Sequence, residues 1–178
     1  NNNNILKYII MIDISTDGST TNNSRKSLKA RGGVGIYIPK YPKLSIKEPY
    51  YLYPITNQRC EFYACIRALQ IIISKKRKNK VKIKIITDSK HVIDTMTKWV
   101  ENWKKKGWKK YDGKTPMNLD LIYFLYNLTK QYENEIEVSY QHVKAHKKEP
   151  DKKSTGYYLW YGNFMADKFA NTGREDGV

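Results

Sequence analysis

The chain has 178 residues, enough for one domain with a sizeable core, and its 40% hydrophobic content excludes an intrinsically disordered tail. Its 33 lysines and arginines against 17 acidic residues give a net charge of +16, which is typical of proteins that bind a polyanion such as nucleic acid. No apolar run is long enough to span a membrane, so no membrane partner is expected.

The two cysteines, Cys60 and Cys65, lie five residues apart in a predicted helix. That spacing suits neither a local disulfide nor a Cys-x-x-Cys metal clip. We therefore expect buried, reduced thiols and an intracellular, reducing compartment.

Three strand patterns open the chain. An isoleucine-rich segment over 5–16 ends at the turn-like tripeptide Asp17-Gly18-Ser19, and further strands are predicted over 33–39 and 44–53. Their closeness along the chain predicts an antiparallel meander.

The period then becomes helical. Apolar residues recur at helical spacing from Phe62 to Ile73, with Thr56 or Asn57 as the N-cap. After that helix the pattern predicts, in order, a strand over 81–87, helices over 89–100 and 118–132, a strand over 136–143 and a last helix over 162–171. The sequence thus predicts a single α/β domain over 1–178 with one mixed sheet.

Four acidic residues occupy comparable places in this plan. Asp17 and Asp88 follow predicted strands, Glu61 falls in the first turn of a helix, and Asp167 lies in the last helix. Each alone has an ordinary explanation: a turn, a helix-dipole contact, a helix cap or a surface charge. Together they can converge at the carboxyl ends of the strands. Carboxylates without a cysteine or histidine cluster suit a hard cation such as Mg²⁺ or Mn²⁺.

The motifs that carry these acids are STDGST, TNQRCE, TDS, WVENWKKKGWKK, HVKAH and GNFMAD. In this order, from about residue 5 to residue 173, the chain resembles type 1 ribonuclease H. The resemblance implies a five-stranded mixed sheet flanked by helices. It implies two Mg²⁺ ions, for which Mn²⁺ can substitute, held by Asp17, Glu61, Asp88 and Asp167. It further implies hydrolysis of the RNA strand of RNA–DNA hybrids, leaving 5′-phosphate and 3′-hydroxyl ends.

The segment before the last motif is less regular. The resemblance gives His146 a role in proton transfer or product release, and imidazole titrates near neutrality. About a dozen additional residues follow, an insertion over about 147–161 that is first basic and then aromatic. It is either a flap that contacts the substrate or a packed extension held by buried aromatic rings, and we favour the second.

Residues expected to contact the hybrid fall into three groups. The first is a basic protrusion over about 98–114, in which lysines neutralise phosphates and indoles stack, although some of its tryptophans can serve the core instead. The resemblance further implies contacts to the minor groove and to a phosphate of the DNA strand, although the Asn and Thr residues can also be helix caps. Pro54 occupies a position of this phosphate pocket where some relatives carry an arginine, which predicts a weaker pocket here. The protrusion contributes Trp99, Trp103, Lys104, Lys105, Lys106, Trp108 and Lys109; the minor-groove set is Asn23, Asn57 and Gln58; the phosphate set is Thr56 and Asn118.

The sequence favours a monomeric hybrid endonuclease and leaves two alternatives. One is the ribonuclease H domain of a reverse transcriptase or mobile element, for which a first residue other than methionine leaves room. The other is a module that binds hybrids without cutting them, although none of the four acids is missing.

Overall fold

The structure is a computed structural model that describes residues 10–21, 29–75, 79–145 and 147–177. The predicted site residues Asn23 and His146 lie outside these ranges. Among the described residues, no helix is both long and apolar enough to cross a membrane.

One five-stranded sheet organises the chain, in the order β3-β2-β1-β4-β5. The strands are β1 (Ile10–Thr20), β2 (Gly32–Tyr37), β3 (Ile46–Tyr50), β4 (Val81–Thr87) and β5 (Ile136–His142). The pairs β1–β2 and β2–β3 are antiparallel, whereas β1–β4 and β4–β5 are parallel. The predicted mixed sheet, a meander followed by parallel strands, is confirmed.

Five α-helices accompany the sheet in the part of the chain that the structure describes. They are α1 (Asn57–Ile73), α2 (Lys90–Asp94), α3 (Val100–Lys105), α4 (Leu119–Gln131) and α5 (Thr155–Asp176). A π-helical turn, Thr95–Trp99, joins α2 to α3, so this helical segment continues past the predicted end at residue 100. A short 3₁₀ helix, Pro42–Leu44, precedes β3.

Alternation along β2 places α1 and α5 on opposite faces of the sheet. A Cβ at Gly32 would meet the Cys60 side chain of α1, whereas a Cβ at Gly33 would meet the backbone of Ala170 and Arg174 in α5. Because successive strand residues point to opposite faces, these contacts fix which helix covers which side.

The main core lies between the sheet and the helices α1 and α4. Its isoleucines on β1, β2 and β4 are fully buried, and each such side chain stabilises the fold by roughly 1.5–3 kcal/mol before its ordering cost. Helix α1 starts as expected, because the Thr56 side chain accepts from the backbone N–H of Arg59 at 3.4 Å. Both cysteines are fully buried free thiols, as predicted.

Strand β3 is shorter than the predicted 44–53, and two further boundaries near the four acids differ from prediction. Strand β1 continues to Thr20, because Asp17 through Thr20 pair with β2 instead of turning. Helix α5 begins at Thr155 and not at residue 162, so the aromatic end of the insertion is helical. The interpretation of the insertion as an extension held by buried aromatic rings is wrong. Tyr158 and Tyr161 are exposed, and Tyr157 and Trp160 are only half-buried.

Candidate active site

The register of the parallel strands brings Asp17 and Asp88 side by side. Strand β1 pairs with β4 up to Ser15 opposite Ile86, so continuing the same register places Asp17 level with Asp88. Asp17 is thus inside β1, not at its end, and it pairs across to Gly35 of β2. Asp88 follows the last residue of β4, at the carboxyl end of the strand where ligands of α/β sheets bind.

Two glycines let helices approach these aspartates closely. A Cβ at Gly18 would lie 2.5 Å from the backbone nitrogen of Glu61, so α1 packs directly against this point of β1. A Cβ at Gly35 would lie 2.0 Å from the carbonyl oxygen of Ala166, the residue before Asp167. Because Gly18 and Gly35 have no side chains, α1 can bring Glu61 close to Asp17, and α5 can bring Asp167 close to it.

Charge interactions connect the four carboxylates. Burial raises the pKa of Asp17 well above its usual range, and repulsion from Asp88, Asp167 and Glu61 raises it further. The backbone N–H of Gly18, which donates to Asp17 Oδ1 at 2.8 Å, acts in the opposite direction. The four acids are therefore close to one another in one region of the fold, and their role as a cation site stays a prediction.

Glu61 is held by two neighbours. It lies past the first turn of α1, one turn after Asn57, whose Nδ2 donates to Oε1 at 2.8 Å. The hydroxyl of Ser89, the N-cap of α2, donates to Oε2 at 2.5 Å. Burial raises the pKa of Glu61 to about 7, the bond from Ser89 lowers it, and repulsion by Asp88 raises it. Glu61 is thus fixed in orientation and can exchange a proton near neutrality.

Asp167 is oriented from its own helix. Asn171, one turn later in α5, donates to Asp167 Oδ1 at 3.2 Å and accepts from the hydroxyl of Ser19 at 2.6 Å. Arg174 Nη1 in turn donates to the same hydroxyl at 2.6 Å. This chain of hydrogen bonds links β1 to α5 directly behind the carboxylate.

The carboxylates line an open cavity but do not form a closed cage. Asp17, Asp88 and Asp167 face this cavity, together with Ser19 and Asn57. Within the described ranges, no three side chains of the types His, Cys, Asp and Glu are grouped tightly enough to hold a metal ion. The donor set nevertheless fits a hard divalent cation, because buried carboxylate oxygens that repel one another are stabilised by positive charge between them.

The sequence profile of the family described as RNase H matches residues 11–175.

The chain belongs to the RNase H family. Among its relatives, ribonuclease H of Ruthia magnifica subsp. Calyptogena magnifica is 36% identical over 160 residues, which cover 90% of this chain and 92% of that protein. Ribonuclease H1 of Mus musculus is 33% identical over 162 residues, covering 90% of this chain and 49% of that protein. The chain therefore spans about half the length of the mammalian relatives that it matches.

Solved structures agree on the fold. LC9-RNase H1, described as a type 1 RNase H with the type 2 active-site motif, superposes with a TM-score of 0.69 at 22% identity, over 96% of this chain and 74% of that one. A foamy viral protease-reverse transcriptase in complex with an RNA/DNA hybrid superposes with a TM-score of 0.64 at 18% identity, over 93% of this chain and 20% of that one. The sheet and helices described above are thus those of an RNase H fold.

The RNase H chain brings some predicted substrate contacts together near α1. Gln58 accepts from Asn118 Nδ2 at 3.3 Å, so the start of α1 touches the start of α4. Asn118 adopts a left-handed conformation with φ 60° at the N-cap position of α4, yet its side chain makes no cap there. Thr56 is buried as the cap of α1, and Asn57 lines the cavity of the carboxylates.

The basic protrusion divides between packing and exposure. Trp103 and Trp108 pack against the core, as expected for some of the tryptophans, while Trp99 is 38% exposed. Lys104 Nζ donates to the hydroxyl of Tyr126 at 3.2 Å. The exposed lysines of this segment are Lys98, Lys104, Lys105, Lys106, Lys109 and Lys114. These predicted contacts remain predictions.

Sequence reasoning did not identify the residues that orient the carboxylates. Ser89 was visible as a candidate cap directly after Asp88, and Asn171 stands four residues after Asp167, the spacing of one helical turn. The link from Ser19 to Asn171 spans 152 residues and had no local signal.

Proposed function

We propose that this protein is an endonuclease that hydrolyses the RNA strand of RNA–DNA hybrids. It would use two divalent cations, preferably Mg²⁺, for which Mn²⁺ can substitute. The observation that carries the proposal is that Asp17, Asp88 and Asp167 line one cavity of an RNase H fold, with Glu61 close enough to repel Asp17. Relatives named ribonuclease H and the net charge of +16 support a polyanionic substrate.

In this proposal the four carboxylates hold the cations. Bound divalent cations supply a water of lowered pKa and stabilise the charge that develops on the leaving oxygen of the phosphodiester. Asp17 and Asp88, which lie side by side in the strand register, would hold the cations. Glu61 and Asp167 complete the set of oxygen donors from opposite helices.

The side chains around Glu61 fix its orientation. Asn57 donates to one of its oxygens and Ser89 donates to the other, so the carboxylate is oriented before a cation binds. A bound cation would lower the pKa of Glu61 from the value of about 7 that it has without one, so in this proposal Glu61 acts as an ionised oxygen donor that helps to orient the attacking water.

The proposal gives Asn57 and Gln58 a role at the ribose. Asn57 lines the same cavity as the aspartates, and Gln58 is exposed beside it. An amide can donate to and accept from a 2′-hydroxyl, the group that distinguishes RNA from DNA. We infer that this pair contributes to the choice of strand.

The test is cleavage of an end-labelled RNA–DNA hybrid in Mg²⁺, beside duplex RNA, duplex DNA and single strands. We expect cutting of the hybrid's RNA alone, with 3′-hydroxyl and 5′-phosphate ends. Asp88→Asn should bind the hybrid and fail to cut it, because a neutral amide is a poorer cation ligand. Binding without cutting by the wild type would instead favour a hybrid-binding module, and cutting by Asp88→Asn at the wild-type rate would refute the assigned site.

A monomeric state and a reducing intracellular setting for the two thiols are further parts of this proposal. Size-exclusion chromatography with light scattering tests the first, and fractionation of the source cells tests the second.

A further inference from the structure

The first turns of helix α5 carry a ladder of aromatic rings. Trp160 and Phe164, one turn apart, have ring centroids 5.3 Å apart at an interplanar angle of 13°. Tyr157 and Tyr161 form a second stacked pair at 5.8 Å and 18°. We call these four residues the aromatic face. None of them belongs to the hydrophobic core described above, and Phe164 is 46% exposed.

The aromatic face continues into the active site. One cavity is lined by Asp88 and Asp167 together with Trp160 and Phe164. Lys144 and Lys147 line the same cavity. Rings, cationic side chains and two of the proposed cation-binding carboxylates therefore bound one continuous space.

Trp160 ties the inserted segment to the helix. Its indole N–H donates to the carbonyl oxygen of Lys147 at 2.8 Å. A second cavity shares Lys144, Lys147 and Trp160 with the first and adds Lys148 and Leu159. The backbone of Lys147 is thus held beside Trp160 by a defined contact, and Lys144 and Lys147 line the same cavities as the ring of Trp160.

A buried amide at this place has an unmet hydrogen bond. Asn163 is 8% exposed and lines the cavity of the carboxylates and rings, and among the described residues its Oδ1 has no hydrogen-bond partner. An unmet buried acceptor is unfavourable, and because this oxygen is itself shielded, a donor would reach it only after the amide turned toward the cavity.

We propose that the aromatic face, with Lys144 and Lys147, binds an unpaired stretch of the RNA strand where that strand leaves the hybrid next to the cleavage site. The RNA strand is the occupant because Asp88 and Asp167, which border the same cavity, face the phosphate to be cut under the proposed function. The stretch is unpaired because bases inside a duplex stack on each other, whereas exposed rings stack on free bases and lysines neutralise their phosphates.

This inference rests on the proposed function, and its test separates the two. Three hybrids share one paired core: one is blunt, and the other two carry a short single-stranded RNA extension at the 5′ end or at the 3′ end of the RNA strand. Fluorescence anisotropy in EDTA measures binding without cations, and cleavage in Mg²⁺ is measured in parallel. Failure to cut any of the hybrids refutes the proposed function, whereas equal affinity for blunt and extended hybrids refutes only the inference.

For the wild type we expect the extension at one end to tighten binding roughly tenfold, the effect of one stacked base. The double variant Trp160→Ala/Phe164→Ala should bind the extended and blunt hybrids within about twofold of each other. Trp160→Phe keeps a ring and loses the indole donor, so it should retain most of the preference if stacking is responsible.

Matched controls lie on the same helix and in the same insertion. Tyr158→Ala removes an exposed ring outside the aromatic face, and Lys152→Gln removes an exposed lysine that does not line the cavity. Both should keep the preference, while Lys144→Gln/Lys147→Gln should reduce its salt dependence. Loss of the preference in the controls, or a gain from an extension on the DNA strand in place of the RNA strand, would overturn the assignment. Circular dichroism melting confirms that each variant is folded.

Discussion

Replacing Glu61 by glutamine tests the electrostatics of the candidate site without assuming catalysis. In the folded protein the pKa of Glu61 rises from its ordinary 4.5 to about 7, first because of burial. Glutamine is neutral at every pH. It can still accept from Asn57, and the hydroxyl of Ser89 can accept from its amide, so the local contacts are retained.

The direction in which stability changes with pH follows from proton binding. The folded chain binds the Glu61 proton more tightly than the unfolded chain, so this group stabilises the fold fully below the unfolded pKa of 4.5 and loses that contribution as the pH rises through about 7. The shift corresponds to roughly 3 kcal/mol at most, because one pKa unit is about 1.4 kcal/mol and Glu61 is not fully buried. Asp17, whose pKa is raised for the same first reason, acts in the same direction.

Urea unfolding in EDTA at about pH 5 and about pH 8 measures this contribution. We expect Glu61→Gln to be more stable than the wild type at the higher pH, by about 1–3 kcal/mol, and to lose much of the pH dependence. Glu137→Gln, at a 55% exposed position on β5, is the matched control and should follow the wild type. If stability changed with pH in the same way for Glu61→Gln and the wild type, the site would not raise the pKa of this carboxylate.

Three other substitutions test the surroundings of the site. Gly18→Ala places a Cβ 2.5 Å from the backbone of α1. It should therefore lower the free energy of unfolding by about 2 kcal/mol or more and reduce cleavage. An unchanged melting temperature would contradict the close contact. Asp120→Asn removes the carboxylate that Arg59 contacts at 2.7 Å. Because Arg59 is buried while Asp120 is 59% exposed, we expect the free energy of unfolding, measured in denaturant, to fall by about 1–2 kcal/mol. An unchanged free energy of unfolding would show that solvent replaces the lost partner. Changing lysines 104–106 to glutamine should weaken hybrid binding and flatten its salt dependence, and an unchanged slope would exclude these lysines as phosphate contacts.

Much of the site was predictable because its residues stand at the ends of strongly patterned elements. The isoleucine alternation fixes β4 to Val81–Thr87, as predicted, and therefore fixes where Asp88 emerges. The spacing of apolar residues fixes the face of α1 and the place of Glu61. The pattern of elements allowed the four acids to converge at one edge of the sheet, and the family resemblance assigned them to one cation site.

The errors arose where tertiary contacts override local signals. Asp17-Gly18-Ser19 has the composition of a turn, but pairing with β2 and the contact of α1 at Gly18 keep it extended. The start of α5 was missed because Gly156 and closely spaced aromatic residues hide the helical period. In the structure, rings one turn apart stack on each other, a stabilisation that no hydrophobic pattern reports.

The two buried thiols make the chain a convenient background for site-specific labelling. Burial raises the pKa of Cys60 and of Cys65 to about 12, so neither forms the reactive thiolate near neutral pH. A cysteine introduced at exposed Lys152 would then be the reactive position among the described residues. Maleimide dyes attached there would report by energy transfer how far a labelled RNA end lies from helix α5.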